Sequence, residues 1–212
     1  MHLKNKLMEA LVIIDVQNDF MPGGRLEVPQ GNVILPIINR LQKHFDLVVA
    51  TQDWHPQNHK SFASNHTNKK PFEKIILNGL EQILWPDHCV QDSEGAEFDP
   101  ELDTDKIAAV FRKGMDPETD SYSGFYDNGH RIRTGLSGYL RDKGVTEIYF
   151  CGLAADICVY YTIKDSLHEG FSAILVEDAS RPLNDTEFIK IKKELLNSGV
   201  QIINSHELQI KK

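Results

Sequence analysis

Short apolar runs alternate along this chain with stretches of helical spacing, and the alternation predicts the architecture. The segments ALVIID (10–15), LVVAT (47–51), IAAVF (107–111), IYFCG (148–152), AILVED (173–178) and VQII (200–203) read as strands. They are apolar on both faces, as parallel strands covered by helices must be. Between them, 33–45, 135–144, 156–170 and 185–199 carry helical spacing, the last three ending at a glycine that suits a helix C-terminus. Asp185 is the N-cap candidate for the final helix. Strands alternating with helices imply an α/β fold with a mainly parallel sheet. Residues 52–106 break the pattern, being rich in His, Asn, Pro and Asp with little periodicity. A loop region that long inside a compact domain is usually functional. No repeat, low-complexity tract or linker divides residues 1–212, so one domain is expected.

Composition narrows the function more than the fold. At 212 residues the chain has room for a continuous core. A net charge of −8 argues against nucleic acid as a partner and gives no support to an anionic membrane surface. Three cysteines, Cys89, Cys151 and Cys158, do not make a disulfide framework, so a reducing compartment is expected. The apolar run near the N-terminus is short and ends in Asp15, unlike a signal peptide or a membrane span. Together these predict a cytoplasmic protein.

In open α/β sheets the ligand lies outside the carboxyl ends of the strands. The first strand ends in Asp15, and the second runs into QDWH, giving Asp53 and His55. The third leads to Lys113 and the fourth to Cys158, in the first turn of a predicted helix. An acid, a metal-type pair, a base and a thiol are thereby expected on one rim. A helix N-terminus lowers a thiol's pKa and suits an oxyanion, which would explain a cysteine there. Asp53 and His55 are two apart, so in extended backbone their side chains point the same way. His88, in WPDHCVQD, offers a third donor. One carboxylate and two imidazoles suit a divalent transition metal with positions left for water or substrate. His59 and His66 are nearby and offer further donors, although histidines in a polar loop are more often solvated, which is the expectation here. Asp87 and Asp92 read as turn and cap residues. After the first strand the chain lacks the G-x-G-x-x-G of a dinucleotide fold, which argues against an oxidoreductase using a nicotinamide cofactor.

Taken together, LVIIDVQNDFMPGG, ATQDWHPQNHKSFAS, WPDHCVQDSEGAEF, FRKGMDPETDSYSGFYDN and CGLAADICVYYT resemble the nicotinamidase branch of the isochorismatase-like cysteine hydrolases. The resemblance covers nearly the whole chain, with the motifs in the family's order. It implies a three-layer α/β/α, Rossmann-like fold around a six-stranded sheet, and a catalytic triad of Asp15, Lys113 and Cys158. Asp53, His55 and His88 would hold one divalent transition metal ion, zinc first, with iron or manganese as alternatives. Ser61 would support a water on that metal. A cis peptide is expected between Leu153 and Ala154, and the N–H groups of Ala154 and Cys158 would form the oxyanion hole. Phe20, Trp85, Tyr122 and Leu153 match the wall around a pyridine ring, and Gln17 a residue beside the site.

The activity implied is hydrolysis of nicotinamide, and of pyrazinamide, in NAD salvage, by an enzyme that in some relatives is a homo-oligomer. The alternatives are a related cysteine amidohydrolase acting on another small amide or ureido compound, and a metal-dependent binding module of hydrolase descent.

Overall fold

The structure, a computed structural model, describes residues 8–208. The first strand, β1 (Met8–Ile14), is followed by helix α1 (Leu35–Leu41) and β2 (Val48–Asp53). A small antiparallel hairpin, β3 (Lys74–Leu77) and β4 (Leu80–Ile83), interrupts the long crossover to β5 (Ile107–Lys113). Helix α2 (Leu136–Asp142), β6 (Val145–Leu153), α3 (Cys158–His168), β7 (Ser172–Arg181), α4 (Asp185–Asn197) and β8 (Gln201–Ile203) complete the order. Six strands form one sheet in the order β5-β2-β1-β6-β7-β8, with every neighbouring pair parallel. All six strands predicted from the apolar runs are present.

The period of two along β1 divides the core. Ala10, Val12 and Ile14 face a cluster with Leu140 of α2, Ile163 of α3 and Leu195 of α4. Leu11 and Ile13 face the opposite cluster with Leu35, Ile38 and Leu41 of α1. A strand covered on both faces has no polar side to show, and Ala10 through Ile14 are fully buried. These are the three layers the resemblance implies. No helix among the described residues is long and apolar enough to cross a membrane.

Three local expectations change. The helix predicted over 33–45 is split into a 3-10 turn (Gly31–Ile34), α1, and a second 3-10 turn (Gln42–His44), with Pro36 in the first turn of α1. The N-cap of α4 is Asn184, whose side chain accepts the Glu187 N–H at 3.0 Å, so Asp185 sits one residue inside. The segment 52–106 contains the β3–β4 hairpin, which period alone did not reveal.

Strand order fixes where the chemistry falls. The chain leaves β1 for β2 on one side, and β6 joins β1 on the other, which makes a crevice outside their carboxyl ends. Gly152 pairs with Ile14 at that end, with φ +119. A Cβ there would stand 2.1 Å from the Ile14 carbonyl oxygen, so only glycine lets β6 close on β1 and bring the two strand ends together.

Candidate active site

Four strand ends deliver the polar residues to this crevice. Asp15 follows β1 with φ 47, a left-handed turn that aspartate tolerates. Asp53 and Lys113 close β2 and β5 as register partners. Cys158 is the first residue of α3, reached from β6 through a turn that opens on the cis peptide Leu153–Ala154. Among the described residues, the N–H groups of Ala154 and Cys158 donate to no protein acceptor. Two free N–H groups beside a thiol at a helix N-terminus suit an oxyanion.

Lys113 is almost wholly buried and is the hub. Its Nζ lies 2.9 Å from Asp15 Oδ2, 3.5 Å from Cys158 Sγ and 3.0 Å from the Ser121 carbonyl, and it also binds Asp53 Oδ1. Although burial disfavours its charge, Asp15 and Asp53 hold its pKa well above the usual lysine value. One ammonium is thereby shared by two carboxylates and a thiol. Burial pushes Asp53 up, but Lys113 and His55 outweigh it and bring the carboxyl well below the usual range. Burial raises Asp15, and Lys113 offsets that only in part because Asp53 competes for the same charge. Thr51 steadies Asp15 by donating its hydroxyl to Oδ1 at 2.6 Å.

Burial lifts the Cys158 thiol well above its ordinary pKa, against the pull of Lys113. Beside it stands Asp15, a carboxylate whose basicity burial has also raised, so a proton acceptor for the thiol is in place.

On the other side of Asp53 lie the imidazoles. Asp53 Oδ2 is 3.6 Å from His55 Nε2 and 3.8 Å from His88 Nε2. These gaps are too long for hydrogen bonds, but they approach the donor spacing of about 3.3–3.6 Å around a tetrahedral zinc-sized ion. Each ring is oriented through its other nitrogen: His55 Nδ1 lies 3.0 Å from the Gly114 carbonyl and His88 Nδ1 2.8 Å from the Pro86 carbonyl. That leaves both Nε2 lone pairs facing Asp53, as a metal site requires. Gly114 has φ +69, and a Cβ there would stand 2.3 Å from the His55 ring. Against the effect of burial, the Asp53 carboxylate raises His55, so this point in the pocket favours positive charge. The residues present fit a divalent ion.

A pocket of about 330 Å³, open solvent at its mouth included, joins the two sides. Phe20, Trp85 and Tyr122 line it as expected, and Cys158 and Ala154 stand in its wall with Asp53, His55 and His88. The same residues fall within a recognised family: residues 9–207 match the isochorismatase domain model.

The chain belongs to the isochorismatase family. It is 48% identical over 179 residues to the nicotinamidase of Escherichia coli, covering 82% of this chain and 84% of that protein. A solved nicotinamidase/pyrazinamidase of Acinetobacter baumanii superposes with a TM-score of 0.93 at 42% identity, over 97% of this chain and all of that one. The pyrazinamidase of Pyrococcus horikoshii, solved in complex with zinc, matches at 36% identity and a TM-score of 0.76, over 92% and 98%.

Within this isochorismatase domain, Gln17 stands beside the pocket against Asp53, and Leu153, expected in the wall, lies behind it. The Gln17 amide is occupied with backbone, donating to the carbonyls of Asp53 (2.8 Å) and Ala96 (2.7 Å) and accepting the Asp53 N–H (2.8 Å). It clamps a metal-side residue without lining the pocket. Leu153 is fully buried in the cluster under α1, and Ala154 lines the pocket in its place. Leu26, Ile157 and Leu183 complete the apolar wall, and none of them carries a chemical signature in sequence. His59, expected in solvent, is fully buried, and burial beside His55 pushes its pKa down to about 4. Ser61 is also buried, and its hydroxyl lies 2.7 Å from His59 Nδ1. Asp120, not anticipated, lines the pocket and accepts from the Ser121 N–H and the Gln82 amide, both at 2.8 Å. Gln82 sits on β4, so this bond ties the hairpin to the site. His66 is half-buried, its Nε2 2.7 Å from the Lys60 carbonyl, and takes no part.

Proposed function

We infer that this protein is a nicotinamidase, hydrolysing nicotinamide to nicotinate and ammonia through a thioester on Cys158, in NAD salvage. The observation that carries the reading is the single pocket with a thiol at one end and a metal-type donor set at the other. A pyridine carboxamide has two matching ends, an amide carbon and a ring nitrogen, on one flat ring. Trp85 and Tyr122, edge to face at 6.1 Å, and Phe20 suit the faces of that ring. Pyrazinamide offers the same amide and ring nitrogen and is expected to react.

The chain's own residues account for the covalent steps. Asp15 takes the proton of the Cys158 thiol as sulfur attacks the amide carbon. The oxyanion is received by the N–H groups of Ala154 and Cys158, each such donor being typically worth about 3 kcal/mol. Asp15 then returns its proton to the departing nitrogen, and ammonia leaves a thioester. Water, deprotonated by Asp15, attacks the thioester, and nicotinate leaves as Cys158 regains its proton. Lys113 keeps its charge throughout and holds the thiol and both carboxylates in register. Asp53, His55 and His88 would hold a zinc ion, which supplies an anchor for the ring nitrogen and fixes the amide against the thiol. Three buried, unpaired cysteines support a cytoplasmic setting.

The deciding experiment is ammonia release from nicotinamide by the purified protein, before and after dialysis against a chelator, and after restoring zinc. Release that falls on dialysis and returns with zinc supports the reading. Release from small ureido compounds and not from nicotinamide would transfer the assignment to a related amidohydrolase.

A further inference from the structure

Burial in the β3–β4 hairpin runs opposite to polarity. Ile76 is 73% exposed, whereas the one buried side chain among the strand residues of the hairpin is the amide of Gln82, 3% exposed. Leaving a large apolar residue in water while burying a polar one does not stabilise a hairpin, so the amide is buried for what it binds. Its Nε2 donates to the Ile83 carbonyl at 2.7 Å, to Asp120 Oδ2 at 2.8 Å and to the Tyr122 hydroxyl at 3.2 Å. A carbonyl and a carboxylate only accept, so the amide nitrogen is the end that faces them, and its two N–H groups serve all three partners.

What Gln82 reaches is the aromatic side of the pocket. Tyr122 lines it together with Trp85, edge to face at 6.1 Å. Trp85 follows Gln82 by three residues, and its backbone N–H is fixed on the Ser61 carbonyl at 2.8 Å. One short stretch therefore supplies one ring of the wall and the bond that holds its neighbour. The Tyr122 backbone N–H is held by Asn128 Oδ1 at 2.9 Å, but the orientation of the ring is left to side-chain contacts. Its further ring neighbour, Tyr161, is 5.3 Å away between centroids and 41% exposed, a softer support. Burial, with Asp120 adding to it, raises the Tyr122 phenol well above its ordinary pKa, so a neutral hydroxyl receives the amide.

Resting on nicotinamide as the substrate, we propose that Gln82 is a positioning residue for the pyridine ring. It acts through Tyr122, whose hydroxyl it holds, and so fixes the aromatic wall against which the ring packs. The effect belongs to binding and not to the covalent steps. Ser121, between Asp120 and Tyr122, gives its carbonyl to Lys113 Nζ at 3.0 Å. Lys113 also has Asp15 and Asp53 as partners, so a small shift of that carbonyl leaves the ammonium in place. The hairpin is anchored separately at its turn, where Asn78 Nδ2 donates to the Glu118 carbonyl at 2.7 Å. Removing the Gln82 amide therefore leaves the hairpin docked.

The test uses the full-length, zinc-loaded protein and steady-state ammonia release from nicotinamide. Gln82→Met keeps the length of the side chain and removes its N–H groups. Its KM is expected to rise roughly tenfold, with kcat within about twofold of the wild type. Tyr122→Phe, which keeps the ring and removes the hydroxyl, should raise KM by a similar factor, and the double variant should lose little more than either alone. Effects that multiply in the double variant would show that Gln82 does not act through that hydroxyl and overturn the proposal. A fall in kcat at unchanged KM would place Gln82 with Lys113, by way of Ser121, and overturn it too. If the methionine variant does not fold, Tyr122→Phe decides alone, because a normal KM there would leave the hydroxyl without a role. Wild-type protein that releases no ammonia from nicotinamide would refute the substrate reading itself, before any variant is made. The near-ultraviolet circular dichroism of Trp85 and Tyr122 needs no substrate and should change in Gln82→Met while the far-ultraviolet spectrum stays intact. Identical near-ultraviolet spectra would overturn the clamp.

Discussion

Asp15, Lys113 and Cys158 stand where strands of the main sheet end, whereas His59 and His88 ride on the crossover between β2 and β5, outside that sheet. The first group is aimed by strand register: Asp53 opposite Lys113, Ile14 opposite Gly152. The second is aimed by single hydrogen bonds. Asp19 Oδ2 takes the Cys89 N–H at 2.7 Å and pins the His88 loop, and the carbonyls of Gly114 and Pro86 turn the imidazoles. In the sheet half, removing a side chain removes a chemical group and leaves its support standing. In the loop half, removing a support moves a ligand. Lys113 crosses the boundary, because it binds both Asp15 and Asp53.

The largest effect is expected where the sheet half loses its nucleophile. Cys158→Ala should lower ammonia release from nicotinamide by about ten thousandfold or more with metal content unchanged, read by ammonia assay and elemental analysis. A variant that also loses its metal would show that the halves cannot be separated. Lys113→Met comes next and probes the boundary. Its kcat should fall by roughly a hundred- to a thousandfold, as when an electrostatic donor is removed. Its metal should be held more weakly too, since Asp53 loses its partner. Normal metal affinity alongside the slow rate would confine Lys113 to the sheet half.

Gly114→Ala touches only a support. The added methyl meets the His55 ring, so metal affinity should drop about ten- to a hundredfold in a folded protein, measured by chelator competition and circular dichroism. Unaltered affinity would mean that the loop half yields easily. The smallest effect belongs to Cys151→Ser, which should keep most turnover. Burial raises the Cys151 thiol far above its ordinary pKa, so in the native protein iodoacetamide at pH 9 should leave it unmodified. Labelling there under native conditions would contradict the packed strand.

The two halves also differ in how far sequence reveals them. Strands buried on both faces write themselves as apolar runs, so all six were legible, and Asp15, Asp53, Lys113 and Cys158 stand out as the polar residues that end them or follow. Their predicted limits fall short at Asp53 and Lys113 because hydrogen bonding continues through charged residues that turn inward. In the crossover no such rule operates. The β3–β4 strands have four residues each and expose Lys74 and Ile76, so their pattern resembles a loop. His59 looked solvated because its neighbours in sequence are polar, whereas its neighbours in space are His55 and Phe62. Gln17 and Leu153 are near the site in the chain but turn toward backbone and core, a direction that sequence position does not encode.

The strand order has a consequence for synthesis. β1 emerges well before its partner β6, which follows more than a hundred residues later. At ribosomal speeds of about 5–20 residues per second, one apolar edge of β1 waits several seconds or more for its neighbour. Until β6 arrives, that edge is open to the wrong strand and to holding chaperones. Ribosome-bound chains stopped before residue 145 should therefore be protease-sensitive at Ala10–Ile14, and chains extended past α3 protected. Protection in the shorter chains would show that β1 finds a temporary cover of its own. The active site thus joins residues far apart in the order of synthesis, and it comes into being only when β6 and α3 have left the ribosome.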